Sequence, residues 1–291
     1  MSSLANPDSA RPGASTRRAG AHLAEIPGGS IYYRVEGHGP TLVLAGGGPS
    51  NADTLQPLAN KLATDHTVVS YDRRGYSRSR LDHPGAPASI AQHADDLRRL
   101  IADLGPEPVS VFGTSFGALI ALELAAIAPG SIETLIVHEP PLGQVLSGEH
   151  RQAFDLNLDA EPDAGSALNA IAASIGVTRG HLPATGVAEG SAEGSPAGRP
   201  GSNPADVELF IRRDAPAIGD SRLDLGRLSA LSGRIAVTGS QDGRDFYPYQ
   251  CALHLARHLG TSLIELPGNH AGMIQHPAEF AARLRALLPA S

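Results

Sequence analysis

Short apolar runs alternate with longer segments of helical period through most of this chain. Residues 41–45 (TLVLA), 67–71 (TVVSY), 108–112 (PVSVF) and 133–137 (ETLIV) each suit a buried strand. Residues 30–36 (SIYYRVE) are β-branched and aromatic-rich and predict a further strand. Between these runs, residues 54–62, 90–104 and 115–128 predict helices; Ile90, Ala94, Leu97, Ile101 and Leu104 fall on one helical face. The alternation resumes late, with strands predicted at 234–238 and 262–266 and helices at 248–259 and 277–288, the last opening on Pro277. Continuous apolar strands between helices imply a mostly parallel sheet with helices on both faces.

Two stretches break the pattern. Residues 1–20 are rich in Ser, Ala, Pro and Arg and read as a flexible tail. Residues 141–231 contain no strand-like run, whereas 142–158, 164–175 and 206–213 suit helices. Such a segment reads as a helical cap inserted into the sheet, leaving 21–140 and 232–291 as the α/β core. Within the cap, residues 183–204 are dense in Gly, Ser, Ala and Pro and read as a mobile loop.

Composition narrows the function. The 291 residues carry 23 basic and 30 acidic side chains, a formal net charge of −7, which argues against a nucleic-acid groove or a polybasic membrane patch. A lone cysteine, Cys251, excludes a disulfide framework and a cysteine-rich zinc site, and reads as a small packed residue. No apolar run reaches the ~18 residues of a membrane span, and the N-terminal stretch lacks the apolar region of a secretory signal. A cytoplasmic protein is expected.

The chemistry centres on Gly113-Thr114-Ser115-Phe116-Gly117, a G-x-S-x-G sequence between a predicted strand and a predicted helix. A sharp strand-to-helix turn would strain its central residue and lift Ser115 above the edge of the sheet. The N–H of Phe116 would lie at the positive end of the helix. A serine hydroxyl needs a base, and the base needs an orienting carboxylate. His270, in the loop after the last strand, is the candidate base. Asp242, in the loop after the preceding strand, is the preferred acid; Glu139 at the end of the 133–137 strand and Asp245 are its rivals. Asp72 and Arg74 read as braces for the loop beneath the site. Arg212 and Arg213 read as a surface face, with a substrate carboxylate as the alternative partner. His254 and His258 stand four apart on a helix, too few for a zinc site.

With the elbow GTSFG stand YDRRGYSRS at 71–79, GSQD at 239–242 and PGNHAGMIQHP at 267–277, and together these resemble the α/β-hydrolase superfamily with a helical cap. The resemblance spans residues 27–291 and takes in esterases, lactonases, carbon–carbon-bond hydrolases and proline-iminopeptidase-like enzymes. It implies a second oxyanion donor from a loop that usually reads H-G-G. Here Ala45 takes the place of the histidine, followed by Gly46 and Gly47, and Gly47 N–H is the candidate donor. Ser77 stands where such proteins often have glycine.

The expected activity is a serine hydrolase acting on an ester, lactone or related acyl bond of a small to medium, partly apolar substrate. Gly48, Pro49, Phe116, Pro140 and Leu142 are the candidate substrate contacts. No cofactor or metal is implied, and the expected partner is a small molecule, with no nucleic acid or membrane; a homodimer is left open. Two alternatives are a non-hydrolytic enzyme on the same scaffold (cyclase, dehydratase or acyl transferase) and a catalytically silent receptor.

Overall fold

The computed structural model describes residues 17–106, 108–177 and 203–289. Among these, nine strands form one sheet: β1 Gly20–Ile26, β2 Gly29–Gly37, β3 Thr41–Ala45, β4 Thr67–Tyr71, β5 Arg80–Leu81, β6 Val109–Thr114, β7 Ile132–His138, β8 Ile235–Ser240 and β9 Ile264–Leu266. Their spatial order is β1-β2-β4-β3-β6-β7-β8-β9, with β5 beside β2. From β4 to β9 every neighbouring pair is parallel; β1, β2 and β5 add an antiparallel edge.

The parallel strands are apolar throughout because both faces are covered. Along β3, Val43 and Ala45 join one hydrophobic cluster and Leu42 and Leu44 the other, as the two-residue period of a strand requires. The first face packs on α2 (Ile90–Leu104), α3 (Phe116–Ile127) and, further along the chain, Tyr247–Leu259. The second packs on α1 (Gln56–Leu62) and the C-terminal helix Pro277–Arg285. Ser89 and Gln92 form a reciprocal capping box that fixes the start of α2.

Between β7 and β8 lie α4 (Gly148–Phe154), α5 (Ala164–Ser174), α6 (Pro204–Leu209), a π-helical turn (Phe210–Asp214), α7 (Ala215–Asp220) and α8 (Leu225–Ser229). After β8 come α9 (Tyr247–Leu259), and after β9 the short α10 (Gly272–Gln275) and α11 (Pro277–Arg285). The helix expected at 142–158 is instead two 3-10 turns flanking α4, because Gly143 and Gly148, the latter at φ +56°, interrupt it. The cap thus carries a π-turn, a feature that often marks functional sites.

The N-terminal boundary also differs. Gly20 opens β1, and Arg17 is tied to Asp103 by a bond to its carbonyl at 3.0 Å, so the ordered chain begins before residue 20. Strand β1 went unpredicted because its alternating pattern, GAHLAEI, is only half apolar: it is an edge strand with one wet face. Residues 1–16 of the expected tail, and most of the expected loop at 183–204, lie outside the described residues.

Candidate active site

Ser115 sits between β6 and α3 with φ +51° and ψ −122°, a left-handed conformation rare for a residue with a side chain. The glycines around it make the turn possible. A Cβ on Gly113 would stand 2.7 Å from Ala118 Cα, and one on Gly117 would collide with the Ala45 carbonyl. The parallel ladder clamps the strained residue: Ser115 N–H donates to His138 O on β7 at 2.9 Å. The hydroxyl faces the cavity described below, and Phe116 N–H opens the first turn of α3, where backbone donors lack intrahelical acceptors.

His270 follows β9 in a loop turned by Gly268 (φ +80°), and its neighbour Asn269 ties that loop to the cap through Gly176 O at 3.3 Å. The carboxylate that meets His270 is Glu139. Its Oε2 lies 2.6 Å from His270 Nδ1, while its Oε1 accepts from Ser240 N–H at 2.7 Å and Ser240 Oγ at 2.5 Å. Burial pushes this carboxyl up, but the bond to His270, the facing imidazoles and Ser240 outweigh it and hold it well below the usual carboxylate range. Glu139 is itself left-handed, at φ +49°, and its N–H continues the ladder to Thr238 O at 3.1 Å. That turn swings the side chain beneath His270.

Asp242, the preferred acid from the sequence, does not take this place. Its side chain is exposed; only its backbone takes part, N–H donating to Gly268 O at 3.0 Å. Asp245 is also exposed, and the cap position of α9 is Phe246 without a side-chain bond. The physical reason is strand order. β7 lies directly beside β6, so Glu139 is one strand from Ser115, whereas Asp242 leaves the sheet from β8 into a polar turn (SQDGRD) that water solvates.

Below His270 lies His138, fully buried, its ring stacked at 6.3 Å on His270 and edge-on to Phe280. The Thr238 hydroxyl donates to Val137 O at 3.1 Å and therefore accepts from His138 Nδ1 at 3.0 Å. Burial pushes the His138 imidazole down to about 4, against the pull of Glu139. It is a neutral spacer under the pair, and no motif signalled it.

The glycine loop Gly46-Gly47-Gly48 passes close to the serine: a Cβ on Gly47 would stand 2.7 Å from Ser115 Cβ and 3.4 Å from its Oγ. Asp72 braces the following turn, accepting from Ala52 N–H at 2.7 Å and from Arg78. Arg74 turns away to a bidentate pair with Asp96 on α2. The residue that holds the glycine loop is instead Arg73, which the sequence reading passed over; it donates to Gly46 O at 2.9 Å and to Gly48 O.

A cavity of about 820 Å³ opens over Ser115 and His270, between the sheet edge and the cap. Gly48 and Pro49 line it, as expected. Phe116, Pro140 and Leu142 do not: Phe116 and Leu142 are buried in the core, the former between His93 and Phe210, and Pro141 rather than Pro140 reaches the wall. The roof is apolar, with Leu168, Ile171, Phe210, Ile211 and Ile218. Among the described residues no Lys or Arg lines it. Arg212 is exposed beside Glu208, and Arg213 is half-buried, bonded to Asp214 at 2.8 Å and to Arg74 O at 3.0 Å. Cys251 is buried against Leu142 O, with its thiol pushed up to about 12 by burial. No helix among the described residues is long and apolar enough to cross a membrane.

Comparison with known proteins agrees with this geometry. The chain is 33% identical over 269 residues to the uncharacterized hydrolase YraK of Bacillus subtilis, covering 91% of this chain and 94% of that protein. An alpha/beta hydrolase from Sphaerobacter thermophilus superposes with a TM-score of 0.69 at 23% identity, covering 92% of this chain and 99% of that one. An N-acyl homoserine lactonase, AidH, solved in complex with N-hexanoyl homoserine, superposes with a TM-score of 0.63 at 20% identity, covering 94% of this chain and all of that one. The model of the alpha/beta hydrolase family matches residues 42–283, and the chain is a hydrolase of that family.

Proposed function

We propose that the chain is a serine hydrolase that cleaves an ester or lactone bond in an uncharged, partly apolar substrate, with Ser115, His270 and Glu139 as its triad. The observation that carries this reading is the 2.6 Å contact between Glu139 Oε2 and His270 Nδ1, beside a strained serine on the same cavity. With Nδ1–H bound to Glu139, His270 keeps Nε2 bare to accept the serine proton. Ser115 Oγ then attacks the acyl carbonyl, the N–H groups of Phe116 and Gly47 receive the oxyanion, and His270 returns the proton to the leaving oxygen. Water repeats the sequence on the acyl-enzyme and releases the acid.

The apolar roof and the cavity volume suit a medium acyl chain. Among the described residues the carboxylates on the wall, Asp155, Asp159 and Asp220, offer an anionic substrate no partner. The lactone degraded by the structural relative AidH, an uncharged acyl chain on a small ring, is of the same chemical kind.

Chromogenic esters and N-acyl lactones of increasing chain length test the reading, with Ser115→Ala as control. The expected result is hydrolysis favouring medium chains, with one oxygen from labelled water in the acid, and a loss of about 10⁶ in kcat in a folded Ser115→Ala variant. Ser115→Ala retaining a tenth of wild-type turnover would remove the serine from the mechanism.

A further inference from the structure

The serine hydrolase reading needs Gly47 N–H to point at the oxyanion, yet Ala45 leaves the loop without the side chain that related loops carry at that position. A fully buried arginine lies on the other side of the same loop. We propose that Arg73 is a positioning residue of the oxyanion hole: by holding the Gly46 carbonyl it sets the peptide plane that carries Gly47 N–H, and Asp214 of the cap holds Arg73 there. This rests on the serine hydrolase reading.

The argument is one of peptide geometry. Gly46 O and Gly47 N–H belong to one peptide unit, which is planar and, like every bond among the described residues, not cis. In a trans unit the C=O and N–H point in opposite directions. Arg73 Nη1 donates to Gly46 O at 2.9 Å, and Nη2 donates to Gly48 O, so the guanidinium straddles the glycine loop from behind. Gly47 N–H is thereby turned away from Arg73. Gly47 and Ser115 line the cavity, and Arg73 does not.

The surroundings fix the guanidinium. It stacks between the Tyr76 ring at 4.3 Å and the ring of Phe116, the other donor residue, at 4.9 Å. Its charge is met by Asp214 Oδ2, 3.9 Å from Nε, in the π-turn of the cap. Asp214 is in turn held by Tyr76 OH at 2.5 Å, Arg213 Nε at 2.8 Å and His93 Nε2 at 3.3 Å. Four stretches of the chain far apart in sequence (46–48, 73–76, 93 and 213–214) thus meet in one buried polar cluster. A buried charge without such partners would not be tolerated.

Arg73→Met removes both bonds; Arg73→Lys keeps the charge opposite Asp214 but reaches one carbonyl at a time. Each is measured for thermal midpoint, kcat, KM and inhibition by a trifluoromethyl ketone, which forms a tetrahedral oxyanion on a serine. The expected result is KM within about threefold of wild type and kcat lower by about 10² for Met and about tenfold for Lys. The inhibition constant of the ketone should rise by the same factors. Should the Met variant not fold, the Lys variant carries the test. A folded Lys variant with wild-type kcat and ketone affinity overturns the role of Arg73, as does a fall in kcat with unchanged ketone affinity. Wild-type protein that neither hydrolyses esters nor is labelled at Ser115 by a fluorophosphonate overturns the serine hydrolase reading itself, and this proposal with it.

Discussion

Replacing Glu139 with glutamine changes one atom and should cost the enzyme about 10²–10⁴ in kcat. In the native protein Oε1 accepts two bonds from Ser240, and its backbone N–H can only donate. The amide oxygen of a glutamine therefore stays with Ser240, and the NH₂ faces His270 Nδ1. That nitrogen must then accept, which places the imidazole proton on Nε2, where the base should be empty. Turning the amide over restores the tautomer but sets NH₂ against the Ser240 N–H, an unsatisfied buried donor costing about 1–3 kcal/mol, or roughly a factor of 5–150. The 2.6 Å charge-assisted bond that would stabilise the imidazolium is also gone, worth about 1.5–3 kcal/mol. The two losses multiply to roughly 10²–10⁴, whose upper end meets the 10⁴ measured for the corresponding change in a well-studied serine protease.

The assay is steady-state hydrolysis of a medium-chain p-nitrophenyl ester by Glu139→Gln and Asp242→Asn side by side, with circular dichroism to establish folding. Asp242→Asn should stay within about twofold of wild type, because its side chain is exposed. A folded Glu139→Gln enzyme keeping more than a tenth of kcat, or an Asp242→Asn enzyme falling below a hundredth, would refute the assignment of the acid.

Gly47→Ala should fold and lose at least tenfold in kcat, since its Cβ would stand 2.7 Å from Ser115 Cβ and either residue must shift; kinetics at wild-type level would show that the loop has slack. His138 gives the protein an acid sensitivity. Its folded-state value of about 4 lies below the ordinary 6.5, so the unfolded chain takes up the proton first as pH falls. Stability from this group is whole above pH 6.5 and is lost on going down to pH 4, by about 3 kcal/mol. Urea midpoints of wild type and His138→Phe between pH 7.5 and 4.5 should diverge in slope; parallel curves would show that the buried imidazole does not titrate this way.

The sheet was legible because its strands are buried on both faces and their apolar runs have hard edges: the strands at 41–45 and 67–71 and the helix at 90–104 agree with the structure to the residue. The elbow was legible for the same reason, since a strand, a G-x-S-x-G and a helix in series leave the backbone little choice. The edge hairpin of β1 and β2 was half hidden, because a strand with one wet face carries only half the signal. Cap helices were misjudged where glycines cut them short. Arg73 was missed because it stands between Asp72 and Arg74, residues of equal polarity, and only the third dimension shows which of the three reaches back to Gly46.

The acid was harder, and the reason lies in the topology. Chain order is silent, since Glu139 and Asp242 both fall between Ser115 and His270. What separates them is the cost of the surroundings. A carboxylate at the end of a strand as apolar as ETLIVH enters a buried place and persists there only with partners, which Ser240 and His270 provide. A carboxylate in SQDGRD has water and needs none. Strain points the same way. Apart from Ser77, the non-glycine residues at positive φ among the described ones are Ser115 and Glu139, the first residues past the ends of β6 and β7. Each such conformation costs on the order of 1–3 kcal/mol. Each is held by its N–H continuing the ladder onto the next strand, Ser115 to His138 O and Glu139 to Thr238 O. Two neighbouring parallel strands thus end in the same way, and the sheet that buries the core is also what sets the strained serine and the strained carboxylate at one edge.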